Sequence, residues 1–249
     1  MDRPIVSLLM PAYNAVQFIK AAIDSLKAQT YKGWELIIVD DGSTDGTWEL
    51  ASKLAESDFR IKVYRNETNL GIPKNRAKCF SYSTGNFIGH FDNDDVLERY
   101  ALEEMLLFLL KNPTCMLAYS DMAQIGIKNE LHHYLMAPDL IPTQLHKNGW
   151  RHLGIYRREV MNSIDGYNTQ LISGCEDGDI FMQIAEKFVC TRVPKILYYH
   201  RATGVNASDR NKKCESCSER PVCNYARVWA KHAGYDLLTF TPLKEVQNG

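Results

Sequence analysis

The sequence predicts an α/β protein built on a mostly parallel, doubly wound central sheet flanked by helices. Three observations predict it. Short apolar, β-rich runs alternate strictly with helically spaced apolar residues through the first half of the chain. The polar residues gather directly after each apolar run. A hydrophobic content of 45% in 249 residues also supplies core enough for one large domain, or one domain plus a tail.

The elements follow in order. "IVSLLM" (5–10) reads as a buried strand, and Phe18, Ile19, Ala22, Ile23 and Leu26 recur at helical spacing. "WELIIVDD" (34–41) is the second strand; "STDG" then offers capping oxygens before Trp48, Ala51, Leu54 and Ala55. "IKVYRN" (61–66) is the third strand, followed by a helix near Lys74–Ser83 and a fourth strand at Asn86–Phe91. After a helix at Glu98–Lys111 the alternation fades. "CMLAYSDMAQIGI" (115–127) reads as one or two strands, and 130–150 as irregular. "HLGIYRREV" reads as a strand entering a short helix. "EDGDIFMQIAEKF" (176–188) is an amphipathic helix, and "FVCTRV" and "KILYYHR" are two further short strands. From about Thr203 the chain turns polar, before a last helix around 221–233.

A net charge of −1 gives no reason to expect nucleic acid as a partner. The longest apolar run, Met105–Leu110, is too short to span a bilayer. "MDRPIVSLLMPAYN" reads as a first strand, not a signal peptide. A cytoplasmic protein is therefore expected, with peripheral membrane contact left open. Cys79, Cys115, Cys175 and Cys190 lie in structured stretches and are expected to be reduced.

Right-handed crossovers place the four early strand ends on one edge, where open α/β sheets bind ligands. There "PAYN", "DDGSTDG", "RNETNLG" and "DNDD" follow strands one to four. The last of these puts Asp92, Asp94 and Asp95 together, and like charges this close need a cation. No G-x-x-x-x-G-K-S/T or G-x-G-x-x-G cradle is present. A divalent metal held by carboxylates neutralises phosphates in its place, so the acids await a metal–diphosphate. A calcium-like loop or a helix N-cap is the competing reading; capping by Asp95 before Val96–Tyr100 is expected in any case.

"PAYNA", "VDDGSTDGT", "NLGIPKNRA", "FDNDD" and "CEDGD" occur in an order and spacing that resemble the inverting family-2 glycosyltransferases with the GT-A fold, over roughly residues 3–202. That resemblance implies a GT-A catalytic domain at 1–202, with a nucleotide-sugar half at 1–119 and an acceptor and base half at 120–202 carrying a small extra sheet. Residues 203–249 are then a C-terminal extension. It places Pro11, Ala12, Tyr13 and Asn14 on the nucleotide base. Asp40 becomes the reader of the uracil N–H, with Asp41 its neighbour; a carboxylate only accepts, and uracil N3 is a donor. Arg76 approaches the nucleotide or its diphosphate, with a surface helix residue as the alternative. Asp94 is implied as the direct ligand of Mn2+ or Mg2+, Asp92 as facing ribose or metal-bound water, and Asp95 as support.

Glu176 and Asp177 match the family's Glu-Asp pair, in which the Asp is the general base for the acceptor hydroxyl. A helix N-terminus there favours negative charge, and helix complementation alone is the competing reading. One departure stands out: the family often has a His two residues after the Arg of "YYHR", and here that position is Thr203. His200 is left between packing and metal support.

"CESCSERPVC" lies outside the family pattern. Cys214, Cys217 and Cys223 are candidates for three ligands of a structural zinc, evenly balanced against reduced surface thiols, with His200, Cys190 or His232 as candidate fourth ligands. Trp150, His152 and Tyr156 are acceptor contacts or core residues. The expected function is metal-dependent, inverting transfer of a sugar from a UDP-linked donor to a hydroxyl acceptor on a polysaccharide, lipid-linked glycan or protein. The alternatives are a catalytically weak nucleotide-sugar-binding protein of the same fold, or a nucleotidyltransferase.

Overall fold

A computed structural model describes residues 6–135, 137, 152–171 and 176–203. Strands β1 (Val6–Ala12), β2 (Trp34–Asp40), β3 (Ile61–Arg65) and β4 (Phe87–His90) alternate with helices α1 (Ile19–Lys27), α2 (Thr47–Glu56) and α3 (Ile72–Tyr82). After them come β5 (Val96–Leu97), α4 (Ala101–Lys111), β6 (Cys115–Ile125), β7 (Leu131–Leu135), β8 (Gly154–Arg157), a 3-10 turn at Arg158–Asn162, α5 (Glu176–Lys187) and β9 (Val189–Arg201).

One sheet runs in the order β3-β2-β1-β4-β8-β6-β9-β5, with β7 added beside β6. β1 to β4 are mutually parallel, β8 is antiparallel to β4 and β6, and β6 is parallel to β9. The extra strands expected on the acceptor side are thereby continuous with the main sheet. Successive residues of β1 and β2 enter opposite cores: Leu8, Met10, Leu36 and Ile38 pack with α1 and α4, while Leu9, Ile37 and Val39 pack with Cys79 of α3 and Ile180 and Phe181 of α5. Burial on both faces is why these strands read as unbroken apolar runs.

Register fixes the functional edge. Ala12 pairs with Asp40, and Asp40 with Arg65, so the first three loops open at one level. β1 extends two residues beyond the expected strand, through Pro11 and Ala12. A proline fits there because β4 stops pairing at Leu9, and the Pro11 carbonyl on that side accepts from Asn93 Nδ2 at 2.8 Å.

Three element expectations change. Within the stretch read as irregular, Leu131–Leu135 form β7, because they pair antiparallel with Met122–Ile125 of β6. "FVCTRV" and "KILYYHR" form the single strand β9, because a bulge after Val193, whose pairing resumes at Ile196, absorbs Pro194. The stretch after Asp95 is not helical: Val96 and Leu97 pair with Tyr199 and Tyr198, and α4 starts only at Ala101. Among the described residues no helix is long and apolar enough to cross a membrane. The cysteine cluster, the expected helix at 221–233, Trp150, Cys175 and His232 lie outside the described residues. Cys79, Cys115 and Cys190 carry free thiols.

Candidate active site

The first two loops are tied to each other. The Asn14 amide donates to Ser43 Oγ at 2.9 Å, and its Oδ1 accepts from the Thr44 amide at 3.1 Å. Asn14 sits at φ 48°, a left-handed conformation that Asn tolerates. Pro11 and Ala12 are buried in β1, which leaves Tyr13 as the large side chain this segment presents to solvent.

Asp40 and Asp41 have separate tasks. Asp41 is a loop clamp: Oδ1 accepts from Asn66 Nδ2 at 2.7 Å and the Leu70 amide at 2.9 Å, and Oδ2 from the Gly71 amide at 2.9 Å. Asp40 is fully buried; its Oδ2 accepts from the Ser43 amide at 3.2 Å and pairs with Arg65 Nε at 3.2 Å. Its Oδ1 is buried with no partner among the described residues. A buried acceptor left in this way costs stability unless a ligand donates to it, as the imide N–H of uracil would.

Arg76 is not a surface helix residue. α3 buries it to 3% exposure, with Nε 2.9 Å from Glu176 Oε1 and Nη2 2.8 Å from Asp92 Oδ1. From Asp92 the chain of charges continues: His152 Nε2 lies 3.9 Å from Asp92 Oδ2 and 3.2 Å from Asp177 Oδ2. Glu176, Arg76, Asp92, His152 and Asp177 thus form a circuit of alternating sign, closed by the peptide bond between Glu176 and Asp177. It joins α3, the acidic loop, the entry to β8 and the first turn of α5.

The circuit sets protonation. Burial would raise the Asp177 carboxyl, but the hydrogen bond from His152 and the charges of His152 and Arg76 hold it well below the usual carboxylate range. Burial pushes Glu176 up to about 7 against the pull of Arg76, and Glu176 Oε2 is buried with no partner among the described residues. For Asp92 burial again raises the carboxyl, and Arg76 and His152 outweigh it. Burial opposes the His152 charge, yet Asp177 and Asp92 raise its pKa.

Asp94 is the opposite case. Burial, then the charges of Asp95 and Asp92, push its carboxyl well above the ordinary value. Neighbouring acids that raise one another are relieved by a cation. Asp95 does not cap a helix: its Oδ1 accepts from the Arg201 amide at 2.7 Å, and its Oδ2 lies 3.3 Å from His200 Nδ1. Burial disfavours the His200 charge, but Asp95 outweighs it and lifts the ring to about 9. His200 is thereby tied to Asp95 beside the acidic loop. Arg201 holds the loop from beneath, donating to the Asp94 carbonyl at 2.8 Å and to the Gly126 carbonyl at 3.0 Å.

Among the described residues no three His, Cys, Asp or Glu side chains form a metal cage. That donor set still fits Mn2+ or Mg2+ bound with a diphosphate, since such ions keep waters and use one or two carboxylates. Asp94, crowded by Asp95 and Asp92, is a carboxylate that such an ion would relieve.

Sequence reasoning left His152 undecided and missed Tyr198, whose ring stacks on His152 at 5.0 Å between centroids. Their signals were a polar ring at the mouth of the "GIYR" strand and a tyrosine pair in the last strand. Tyr156 proves to be core: it is fully buried and its hydroxyl lies 2.8 Å from that of Tyr167, which in turn meets His90 Nε2 at 2.6 Å. Burial, then the Arg76 charge, keeps His90 neutral.

Four parallel strands ending at one edge, an acidic loop after the fourth, and a helix opening on Glu176 and Asp177 define the GT-A class of α/β proteins. The profile of "Glycosyl transferase family 2" matches residues 7–172, and the chain belongs to that family. It is 28% identical over 247 residues to a chondroitin synthase of Pasteurella multocida (97% of this chain, 25% of the relative). It is 32% identical over 183 residues to TuaG of Bacillus subtilis, a putative teichuronic acid biosynthesis glycosyltransferase (72% and 66%). The chain therefore spans between a quarter and about two thirds of the length of these relatives. Among solved structures, S. aureus TarS 1-349 in complex with UDP-GlcNAc superposes with a TM-score of 0.69 at 20% identity, covering 92% of this chain and 72% of that one.

Proposed function

We propose that this chain is an inverting glycosyltransferase that moves a hexosyl or N-acetylhexosaminyl group from a UDP-linked donor to a hydroxyl acceptor during assembly of a polysaccharide or lipid-linked glycan. The observation that carries the reading is the Asp177 carboxylate at the start of α5, linked through His152 to the Asp92 side of the acidic loop. Family membership and the UDP-GlcNAc complex of TarS support the donor class. An Escherichia coli relative, 42% identical over 113 residues (45% of this chain, 44% of the relative), is a UDP-Glc:alpha-D-GlcNAc-diphosphoundecaprenol beta-1,3-glucosyltransferase, which supports the acceptor class.

In this reading residues 1–119 hold the donor and 120–202 the acceptor and base. Asp40 Oδ1 accepts the uracil N–H, and Tyr13 covers the base. Asp94 would hold Mn2+ or Mg2+, and the ion would supply positive charge against the diphosphate. The acceptor oxygen bonds to the anomeric carbon on the face opposite the diphosphate, whose bond to that carbon breaks with its electron pair. The acceptor's proton passes to Asp177, a transfer worth roughly a hundredfold to ten-thousandfold in rate. Arg76 keeps Asp92 and Glu176 from repelling that base.

The test is a panel of nucleotide sugars, scored for hydrolysis and transfer with and without Mn2+. Turnover confined to UDP-sugars and stimulated by Mn2+ is expected. Turnover of no nucleotide sugar, with UDP still bound, would favour a binding protein of the same fold.

A further inference from the structure

His152 is delivered to the site by backbone. It stands two residues before β8, a strand held between β4 and β6. Ser120 of β6 clamps this approach: its Oγ donates to the His152 carbonyl at 3.2 Å and accepts from the Leu153 amide at 2.9 Å. The ring is stacked on Tyr198 of β9, 26° from coplanar, and only 15% of the side chain is exposed. A ring fixed on two sides has little freedom left, so the direction of its Nε2 is set by the fold.

That nitrogen lies 3.2 Å from Asp177 Oδ2, while Asp177 Oδ1 accepts from the Gly178 amide at 2.7 Å. Both oxygens of the carboxylate are thus held, each keeping a lone pair for one more proton donor. Ring packing against Tyr198 would need no such approach to Asp177, and a ring filling space would be replaceable by any aromatic. Nothing in α5 itself fixes the second oxygen: Gly178 offers only a backbone N–H to the first.

We infer that His152 is a positioning residue for the base: its Nε2–H fixes the rotation of the Asp177 carboxylate, so that a lone pair stays turned toward the acceptor hydroxyl. The inference rests on the reading of Asp177 as the base. Misdirecting a reacting group by about an ångström costs on the order of a hundredfold in rate.

Two substitutions separate this role from packing. His152→Phe keeps the stacked ring and removes the donor; His152→Gln removes the ring and restores an N–H near the same reach. With UDP-sugar transfer as readout, His152→Phe should lower kcat roughly tenfold to a hundredfold and change donor KM less than about threefold. His152→Gln should recover most of that loss. In an Asp177→Asn background, His152→Phe should cost nothing further, because its effect passes through Asp177. Calorimetric UDP binding and thermal melting confirm that each variant is folded. A His152→Phe kcat within threefold of the parent, a Gln variant as poor as Phe, or an additive double variant would overturn the proposal. If Asp177→Asn abolishes transfer while His152→Phe does not, the base stands and the positioning role falls. If Asp177→Asn transfers at the parent rate, the base assignment falls and takes this role with it.

Discussion

Arg76 and Glu176 are 100 positions apart in the chain, and their side chains meet at 2.9 Å in a place where both are almost fully buried. The contact joins α3 to α5, and Arg76 adds Asp92 at 2.8 Å on its other side. One cation thereby holds the acidic loop and the first turn of α5 in register. Removing one member of a buried ion pair leaves the other uncompensated, which costs about 3–5 kcal/mol. Arg76→Met should therefore destabilise the protein by about 3 kcal/mol in urea unfolding. Adding Glu176→Gln should return part of that loss, since the orphaned charge is gone. A loss below about 1 kcal/mol for Arg76→Met would mean that water already solvates the pair.

Asp177→Asn should remove transfer by at least roughly a hundredfold, since an amide cannot take the acceptor's proton at neutral pH. Its UDP affinity should stay within about threefold of the parent, because the proposed base would meet the acceptor and not the nucleotide. Paired kinetic and calorimetric measurements check this. Loss of both properties together would indicate a disrupted circuit instead of a missing base.

Asp94→Ala should uncouple UDP binding from the metal. In the parent, Mn2+ should tighten UDP by at least about tenfold, an effect of about 1.4 kcal/mol. In the variant, UDP titrations with Mn2+ and with EDTA should superimpose. A persistent Mn2+ effect would move the metal to other ligands, Asp92 first among them.

A fourth prediction concerns acid stability. Glu35 is buried in β2, with Oε1 accepting from Ser7 Oγ and the Thr84 amide at 2.6 Å each, and Oε2 2.7 Å from Lys62 Nζ. Burial acts to raise its carboxyl, but Lys62, Ser7 and Thr84 together lower it below 4.5. A folded pKa below the unfolded one gives stability that is complete above the unfolded value and fades as pH falls through the folded value. The stability of the parent should therefore fall below about pH 4.5, while Glu35→Gln should be less stable at pH 7 and show a shallower acid limb. Parallel pH profiles of the two proteins would assign the acid limb to other carboxylates.

The parts of this fold that were legible in the sequence are those encoded locally. β1 to β4 are flanked by cores on both sides, so their apolar runs are continuous, and each is followed by a loop whose residues turn the chain. Asp40, Asp94 and Asp177 could be singled out as candidates because each lies at or close to the end of an element. What could not be read is made by long-range contact. Arg76 sits on α3 among polar neighbours, and only the approach of Asp92 and Glu176 shows that it faces inward. His152 needed β8 placed between β4 and β6 before its reach to Asp177 was visible. Asp95 was assigned to a helix cap because local pattern favours that reading; the pairing of Val96 and Leu97 with β9 overrides it. "FVCTRV" and "KILYYHR" read as two strands by local pattern, and a bulge at Pro194 joins them into one.

The most direct test of the account is a crystal structure with UDP and Mn2+ bound. The account predicts the uracil imide against Asp40 Oδ1, the metal bridging Asp94 and the diphosphate, and the sugar-bearing end turned toward Asp177. A nucleotide bound away from the Asp40 and Asp94 edge, or a metal held without Asp94, would contradict it.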